Sequence, residues 1–127
     1  TDWFFAIPAL RVAEARAAAG RGAETWVYRF DHPDPAANDG LGACHAVEIP
    51  FVFDTISRPT AHPLIGGTPS PAVARTMHHT WVSFITGGSP GWAPYTTPDR
   101  TMAVLASEVT EVSDPAGDER VLWDAIR

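Results

Sequence analysis

One stretch says most about the fold of this 127-residue chain: Gly42-Ala43-Cys44-His45-Ala46-Val47-Glu48-Ile49-Pro50-Phe51-Val52-Phe53. It places a histidine on a turn of small residues, and an acidic residue and an apolar aromatic run follow at once. Glycine and alanine leave room beside the imidazole, which a reactive histidine needs for the approach of a substrate. We therefore take His45 as the candidate catalytic residue and expect residues 48–53 to form a buried loop or helical turn.

Upstream of this stretch, the sequence predicts a helix and then a strand. Asp2 can cap a helix that starts at Trp3, with Pro8 as a kink or a first-turn residue, and glycines near residue 20 end it. Residues 25–31 alternate aromatic with other side chains, which is typical of a strand. Prolines at residues 32–35 stop that strand, and a loop over 36–46 carries His45.

Downstream, Ser70-Pro71 is a good helix start, and Gly87-Gly88 ends that helix. Its apolar positions follow a helical period and predict one buried stripe, made of Val73, Met77, Trp81, Phe84 and Ile85. Residues 57–69 are rich in proline, glycine and threonine, so we expect them to be irregular.

Two short strands, over 101–106 and 109–113, and a final helix opened by Asp114-Pro115 complete the prediction. Strand, histidine-bearing loop, helix, strand and helix is the order found in the closing part of an α/β hydrolase. In that fold the catalytic histidine lies on a loop after a late strand, and it follows the serine and the acid along the chain.

The stretch around His45 resembles the histidine loop of the type-B carboxylesterases, the cholinesterase and para-nitrobenzyl esterase family, which reads roughly G-x-x-H-G-x-E. Further segments resemble the family's motifs in order and spacing, and these are Asp2-Trp3-Phe4-Phe5-Ala6-Ile7-Pro8-Ala9-Leu10-Arg11, Val27-Tyr28-Arg29-Phe30-Asp31, Met77-His78-His79-Thr80-Trp81-Val82-Ser83-Phe84 and Thr86-Gly87-Gly88-Ser89-Pro90. The chain departs from the pattern at Ala46, where the family usually has glycine.

The resemblance implies the α/β class. Residues 1–127 would be an incomplete C-terminal fragment of a single α/β-hydrolase catalytic domain, made of its late strands and the helices that pack on them. It implies hydrolysis of small-molecule carboxylic esters by a Ser-His-Glu/Asp triad through an acyl-enzyme, without a cofactor or a metal. His45 would be the general base, while the serine and the acid would lie in a missing N-terminal part. We expect the fragment alone to be inactive, and to pair with that part or to self-associate.

Residues near His45 offer other readings. Cys44 as a thiolate nucleophile is disfavoured because adjacent side chains on a turning backbone point apart, so a small buried filler is preferred. Glu48 as the triad acid has poor geometry on the same short segment, and a buried structural carboxylate is preferred.

The run Gly87-Gly88-Ser89-Pro90-Gly91 matches the sequence pattern of a nucleophile elbow. We expect it to follow a helix, however, and Pro90 has no N–H for an oxyanion hole.

The remaining histidines do not predict a metal site. His78 and His79 differ by about 100° around a helix, so they cannot chelate one ion as an i, i+4 pair could. His32 and His62 lack the spacing of ligands. We therefore expect His78 and His79 to be mild controls for any substitution of His45.

Composition narrows the class of partner. The net charge of −6, with acidic residues scattered, argues against nucleic acid, whose phosphates need a basic patch. No apolar run approaches the roughly 20 residues that cross a bilayer, and no leader sequence is apparent, so the compartment, cytoplasmic or secreted, stays open. All nine basic residues are arginine, which points to a GC-rich bacterial genome.

Two alternatives belong to other functional classes. The first is a non-catalytic, cholinesterase-like interaction protein with the same fold, against which the presence of His45 argues. The second is a small stand-alone binding domain, which two tryptophan-bearing amphipathic helices with few strands fit poorly. The sequence leaves open the ester, the nucleophile and acid residues, the oligomeric state and the origin of the truncation.

Overall fold

The computed structural model describes residues 2–31, 40–66, 68–124 and 126. The predicted strand stop at residues 32–35 and the first part of the loop that leads to His45 lie outside the described residues.

The first helix is the one predicted near the start of the chain. A π-helical turn over Asp2–Ala6 leads into α1, Ile7–Ala18. Pro8 lies in the first turn of α1, directly after the π-helical turn, where the fixed φ of proline suits the start of a helix. Gly20 follows the helix with φ of 76°, a left-handed conformation that glycine adopts without steric cost.

Three strands form one sheet in the order β1-β2-β3, and these are β1 (Tyr28–Phe30), β2 (Thr101–Leu105) and β3 (Val109–Ser113). Ala103 N donates to Val27 O at 3.0 Å and Asp31 N donates to Leu105 O at 2.9 Å. Because both partners advance together along the chain, β1 and β2 are parallel. Strands β2 and β3 form an antiparallel hairpin, so the sheet is mixed. Strand β1 is shorter than predicted.

Short helices occupy part of the region predicted to be irregular, so that prediction is wrong there. Helix α2 covers Ile49–Val52, before this region. Within the region, a 3₁₀ turn over Pro59–Ala61 leads into α3, His62–Ile65. A proline stands in the first turn of each of these pieces. The fixed φ of proline, near −65°, favours the first turn of a helix, which explains why a proline-rich segment forms helical turns instead of irregular structure.

The longest helix, α4, spans Pro71–Gly87 and begins and ends where the sequence predicts. The Ser70 side chain accepts a hydrogen bond from Val73 N at 3.5 Å, as an N-cap residue does. Gly88 closes the helix with φ of 75°. A fifth helix, α5, covers Gly117–Leu122 and agrees with the predicted final helix.

The predicted buried stripe of α4 holds only over its first half. Val73 and Met77 have no exposed surface, and Trp81 is half-buried. Phe84 and Ile85 are 40% and 72% exposed, which contradicts the prediction for the last turns. Helix α4 packs against α2, and that short helix covers only part of its length.

The chain divides into two compact units, of which the first comprises residues 1–28, 92–103 and 111–127 and the second residues 29–91 and 104–110. The buried apolar side chains of the first unit are Ile7, Ala13, Trp92, Tyr95 and Ala103. Those of the second unit are Val47, Phe51, Ala61, Ile65, Val73, Ala74, Met77 and Leu105. Among the described helices, none combines the length and the hydropathy of a membrane-spanning segment.

The first unit contains a cluster of ion pairs around Glu14. The Glu14 carboxylate accepts from Arg11 Nη1 at 2.7 Å and from Arg100 Nε at 3.2 Å. Arg120, which is only 8% exposed, donates to both oxygens of Asp114, at 3.2 and 3.0 Å. Two-point pairing of this kind fixes the planar guanidinium in one orientation.

Candidate active site

His45 occupies a corner of a tight turn in the second unit. Val47 N donates to Cys44 O at 3.2 Å, which closes a four-residue turn with His45 and Ala46 at its centre. Ala46 has a positive φ of 68° and His45 does not, and this combination defines a type II turn. His45 is an exposed residue on this corner.

The turn explains why glycine is usual after the histidine in the resembling family. The second central residue of a type II turn needs a positive φ, which glycine adopts freely. Ala46 carries a Cβ into this left-handed conformation, which costs roughly 1–2 kcal/mol per residue. The consequence of the departure at Ala46 is therefore strain in the backbone of the turn.

The segment after the turn is wound tightly by its own backbone. Ile49 N donates to Ala46 O at 3.2 Å, and Phe51 N and Val52 N both donate to Glu48 O at 3.0 Å. These bonds join the turn directly to α2, so the predicted helical turn is confirmed. Its predicted burial is only partly right, since Ile49 and Phe53 are 48% and 69% exposed. Because each bond spans only three or four residues, a movement of α2 would move the turn that carries His45.

Two residues near His45 are less buried than the sequence predicted. Glu48 is half-buried, not buried, and its side chain does not cap α2. Cys44 is also half-buried, and its N–H donates to Gly42 O at 2.9 Å. The preference for a buried structural role is therefore only partly met at both positions.

The elbow-like run near Ser89 follows α4, as predicted. A true nucleophile elbow lies between a strand and a helix, whereas Ser89 comes directly after the left-handed Gly88 that ends a helix. The Ser89 hydroxyl accepts a weak hydrogen bond from Gly91 N at 3.4 Å, and Pro90 is buried. This geometry does not fit a nucleophile.

The sequence predicted His78 to be only a mild control, but the structure places it against the segment that follows His45. His78 Nδ1 lies 2.9 Å from Val52 O, at the end of α2. His79 Nε2, by contrast, lies 3.5 Å from Ser83 Oγ, within α4 itself. The contact of His78 could not be predicted from residue spacing, since Val52 lies 26 residues away in the sequence. No group of three or more potential ligands among the described residues could hold a metal ion.

Comparisons with known proteins agree on one family. Residues 1–121 match the carboxylesterase family. The chain is 31% identical to phenmedipham hydrolase of Pseudarthrobacter oxydans, over 88% of this chain and 24% of that protein. It is 32% identical to para-nitrobenzyl esterase of Bacillus subtilis (strain 168), over 94% of this chain and 25% of that protein.

Among solved structures, a carboxylesterase of Geobacillus stearothermophilus superposes with a TM-score of 0.71 and 35% sequence identity. The superposition covers 91% of this chain and 24% of that chain. This chain therefore spans about a quarter of the length of the relatives it matches.

Proposed function

The chain belongs to the carboxylesterase family, and we propose that it contributes the general-base histidine, His45, to the active site of a serine esterase. Its helices and small mixed sheet are part of an α/β-hydrolase fold. In this proposal residues 1–127 are the C-terminal fragment of one catalytic domain. The serine nucleophile and the acid belong to the remainder of that domain.

One observation carries the proposal: the histidine of the family-like motif is the exposed corner of a hydrogen-bonded turn tied to a packed helix. A general base must reach a proton on a neighbouring group, so it has to be both accessible and held in place. The exposure of His45 supports the first requirement. The hydrogen bonds from Val47 and Ile49 back into the turn support the second.

The chemistry follows from the weak nucleophilicity of an alcohol. His45 would take the proton of the serine hydroxyl while the oxygen attacks the ester carbonyl. The resulting imidazolium would then protonate the leaving alcohol, and a water molecule would release the acid by the same route. A carboxylate on the second ring nitrogen of His45 would fix the tautomer during both steps.

The substrates of this proposal are small carboxylic esters, without a cofactor. The names of two relatives, phenmedipham hydrolase and para-nitrobenzyl esterase, support hydrolysis of small molecules. The partner of the segment is the remainder of its own domain, which would cover apolar side chains that are exposed here, such as Ile85 and Phe53.

The test uses the complete protein encoded by the reading frame that contains this segment. His45→Ala should lower kcat for a p-nitrophenyl ester by about 10⁴-fold or more, with little change in thermal stability, because the turn stays intact. His79→Ala, which removes a ring that lies 3.5 Å from Ser83 Oγ within α4, should keep kcat within about twofold of the parent value. A near-normal kcat in His45→Ala would remove this histidine from catalysis. A parent protein without hydrolysis and without labelling by a fluorophosphonate would favour a non-catalytic homologue.

A further inference from the structure

His78 makes a directional contact between two helices of the second unit. It lies on α4 directly after Met77, whose side chain is fully buried. Its Nδ1 lies 2.9 Å from Val52 O. A carbonyl oxygen only accepts hydrogen bonds, so Nδ1 carries the proton and donates it.

The acceptor is a group that needs an external partner. Val52 is the last residue of α2, and the final carbonyls of a helix have no N–H partner within it. A histidine near a helix end can fill this role. The His78 ring therefore closes the C-terminal end of α2 from a neighbouring helix.

Helices α2 and α4 also pack against each other with buried apolar side chains, whose contacts are non-directional. Phe51, on α2, and Met77, on α4, are both fully buried. Apolar burial resists separation of the two helices but opposes rotation of a helix of only four residues much less. A hydrogen bond depends on angle as well as distance, so the bond from His78 to Val52 opposes such a rotation.

Rotation of α2 would be transmitted to His45. Val52 N and Phe51 N donate to Glu48 O, and Ile49 N donates to Ala46 O in the turn itself. The backbone from the turn to Val52 is thus a continuous series of short hydrogen-bonded loops. Fixing its far end fixes the direction in which the His45 corner points.

We propose that His78 is a positioning residue, which orients the His45 turn by holding the C-terminal end of α2 against α4. The inference rests on the proposed general-base role of His45 for its effect on catalysis. Its effect on the conformation of the turn is independent of that role. His78 itself does not contact the substrate in this proposal.

The first experiment is steady-state kinetics of the complete protein. His78→Ala should lower kcat about tenfold with KM nearly unchanged, since displacement of a catalytic group by about 1 Å can cost up to 100-fold. His78→Asn places an amide N–H near the position of Nδ1 and should restore kcat to within about threefold. His79→Ala is the matched control, because its ring contacts only its own helix among the hydrogen bonds described above.

The second experiment measures the turn without reference to esterase activity. Amide hydrogen exchange in the peptide that covers residues 44–55 should become about tenfold faster in His78→Ala, and it should return toward the parent rate in His78→Asn. Unchanged exchange in His78→Ala would overturn the inference. Faster exchange with a normal kcat would overturn the link to catalysis. If the parent protein hydrolyses no ester but His78→Ala still speeds exchange in this peptide, the positioning of the turn is supported and the proposed function is rejected.

Discussion

The rings of Phe30 and Phe51 lie with their centroids 5.3 Å apart and their planes tilted by 45°. Phe30 ends β1 and Phe51 lies in α2, so this contact joins a strand to the helix that follows His45. Tilted aromatic pairs contribute roughly 0.5–1.5 kcal/mol beyond the area they bury. The candidate catalytic turn is therefore attached to a packed core, although His45 itself is exposed.

The strain at Ala46 predicts that Ala46→Gly stabilises the protein. Relief of the left-handed conformation gains roughly 1–2 kcal/mol, and the flexibility of glycine in the unfolded chain costs roughly 0.5–1 kcal/mol. We expect a net gain of about 0.7 kcal/mol, or a rise in Tm of roughly 3 °C. Thermal denaturation of the 127-residue chain and of its Ala46→Gly variant under the same conditions measures it.

The control for this substitution lies in the same loop. Ala43 is exposed and does not have a positive φ, so Ala43→Gly relieves no strain and should lower stability by roughly 0.4–1 kcal/mol. Equal effects of Ala43→Gly and Ala46→Gly would show that the backbone at Ala46 is not strained.

The 127-residue chain by itself should have no esterase activity above background. No serine of the chain lies in a Gly-x-Ser-x-Gly run between a strand and a helix, and Ser89 follows a helix instead. Hydrolysis of a p-nitrophenyl ester by the purified chain is the measurement. Activity that disappears in Ser89→Ala would contradict both this prediction and the assignment of the nucleophile to another part of the domain.

The ion pairs of the first unit predict a loss of stability in acid. Hydrogen bonds from Arg120 hold the pKa of Asp114 below its ordinary value. Burial raises the pKa of Glu14, but hydrogen bonds from Arg11 and Arg100 outweigh it and leave this pKa lowered. Carboxylates with a lowered folded-state pKa stabilise the fold fully above their unfolded-state pKa of roughly 4, and that stabilisation is lost as the pH falls through the folded-state pKa.

Glu14→Gln tests this pH dependence. It should lower stability by about 2 kcal/mol at neutral pH, because Arg11 and Arg100 lose their shared carboxylate in a half-buried setting. It should also flatten the decline of Tm between pH 5 and pH 3. The exposed residue Glu119, changed to Gln, is the control and should leave that decline unchanged. Parallel Tm curves for Glu14→Gln and the parent would contradict the assignment.

The end of α4 predicts self-association of the isolated chain. Val82, Phe84 and Ile85 are 41%, 40% and 72% exposed. Residues 76–98 contain no Asp, Glu, Lys or Arg, so no formal charge at neutral pH keeps this surface in water. Sedimentation velocity should show dimers or larger species at high concentration, and Ile85→Glu should reduce them. A compact monomer that binds no hydrophobic dye would indicate that the chain is a complete domain.

Local signals account for the elements that the sequence predicted well. Ser70 before Pro71 and Gly88 after Gly87 set the ends of α4, because a cap and a left-handed glycine act within one helical turn. The hairpin of β2 and β3 is similarly local. The exposure of Phe84 and Ile85 was not predictable, because periodicity shows which residues share a face but not how far a neighbouring element covers it.

The sequence by itself determined the family motif around His45, the ends of the long helix and the helical turn after the histidine. Each of these depends on residues a few positions apart. Tertiary structure alone decided the parallel pairing of β1 with β2, the left-handed conformation of Ala46 and the bond from His78 to Val52. The pairing and the bond join residues distant in the sequence, and Ala46 keeps a conformation that alanine disfavours, so packing of the whole chain has to select all three.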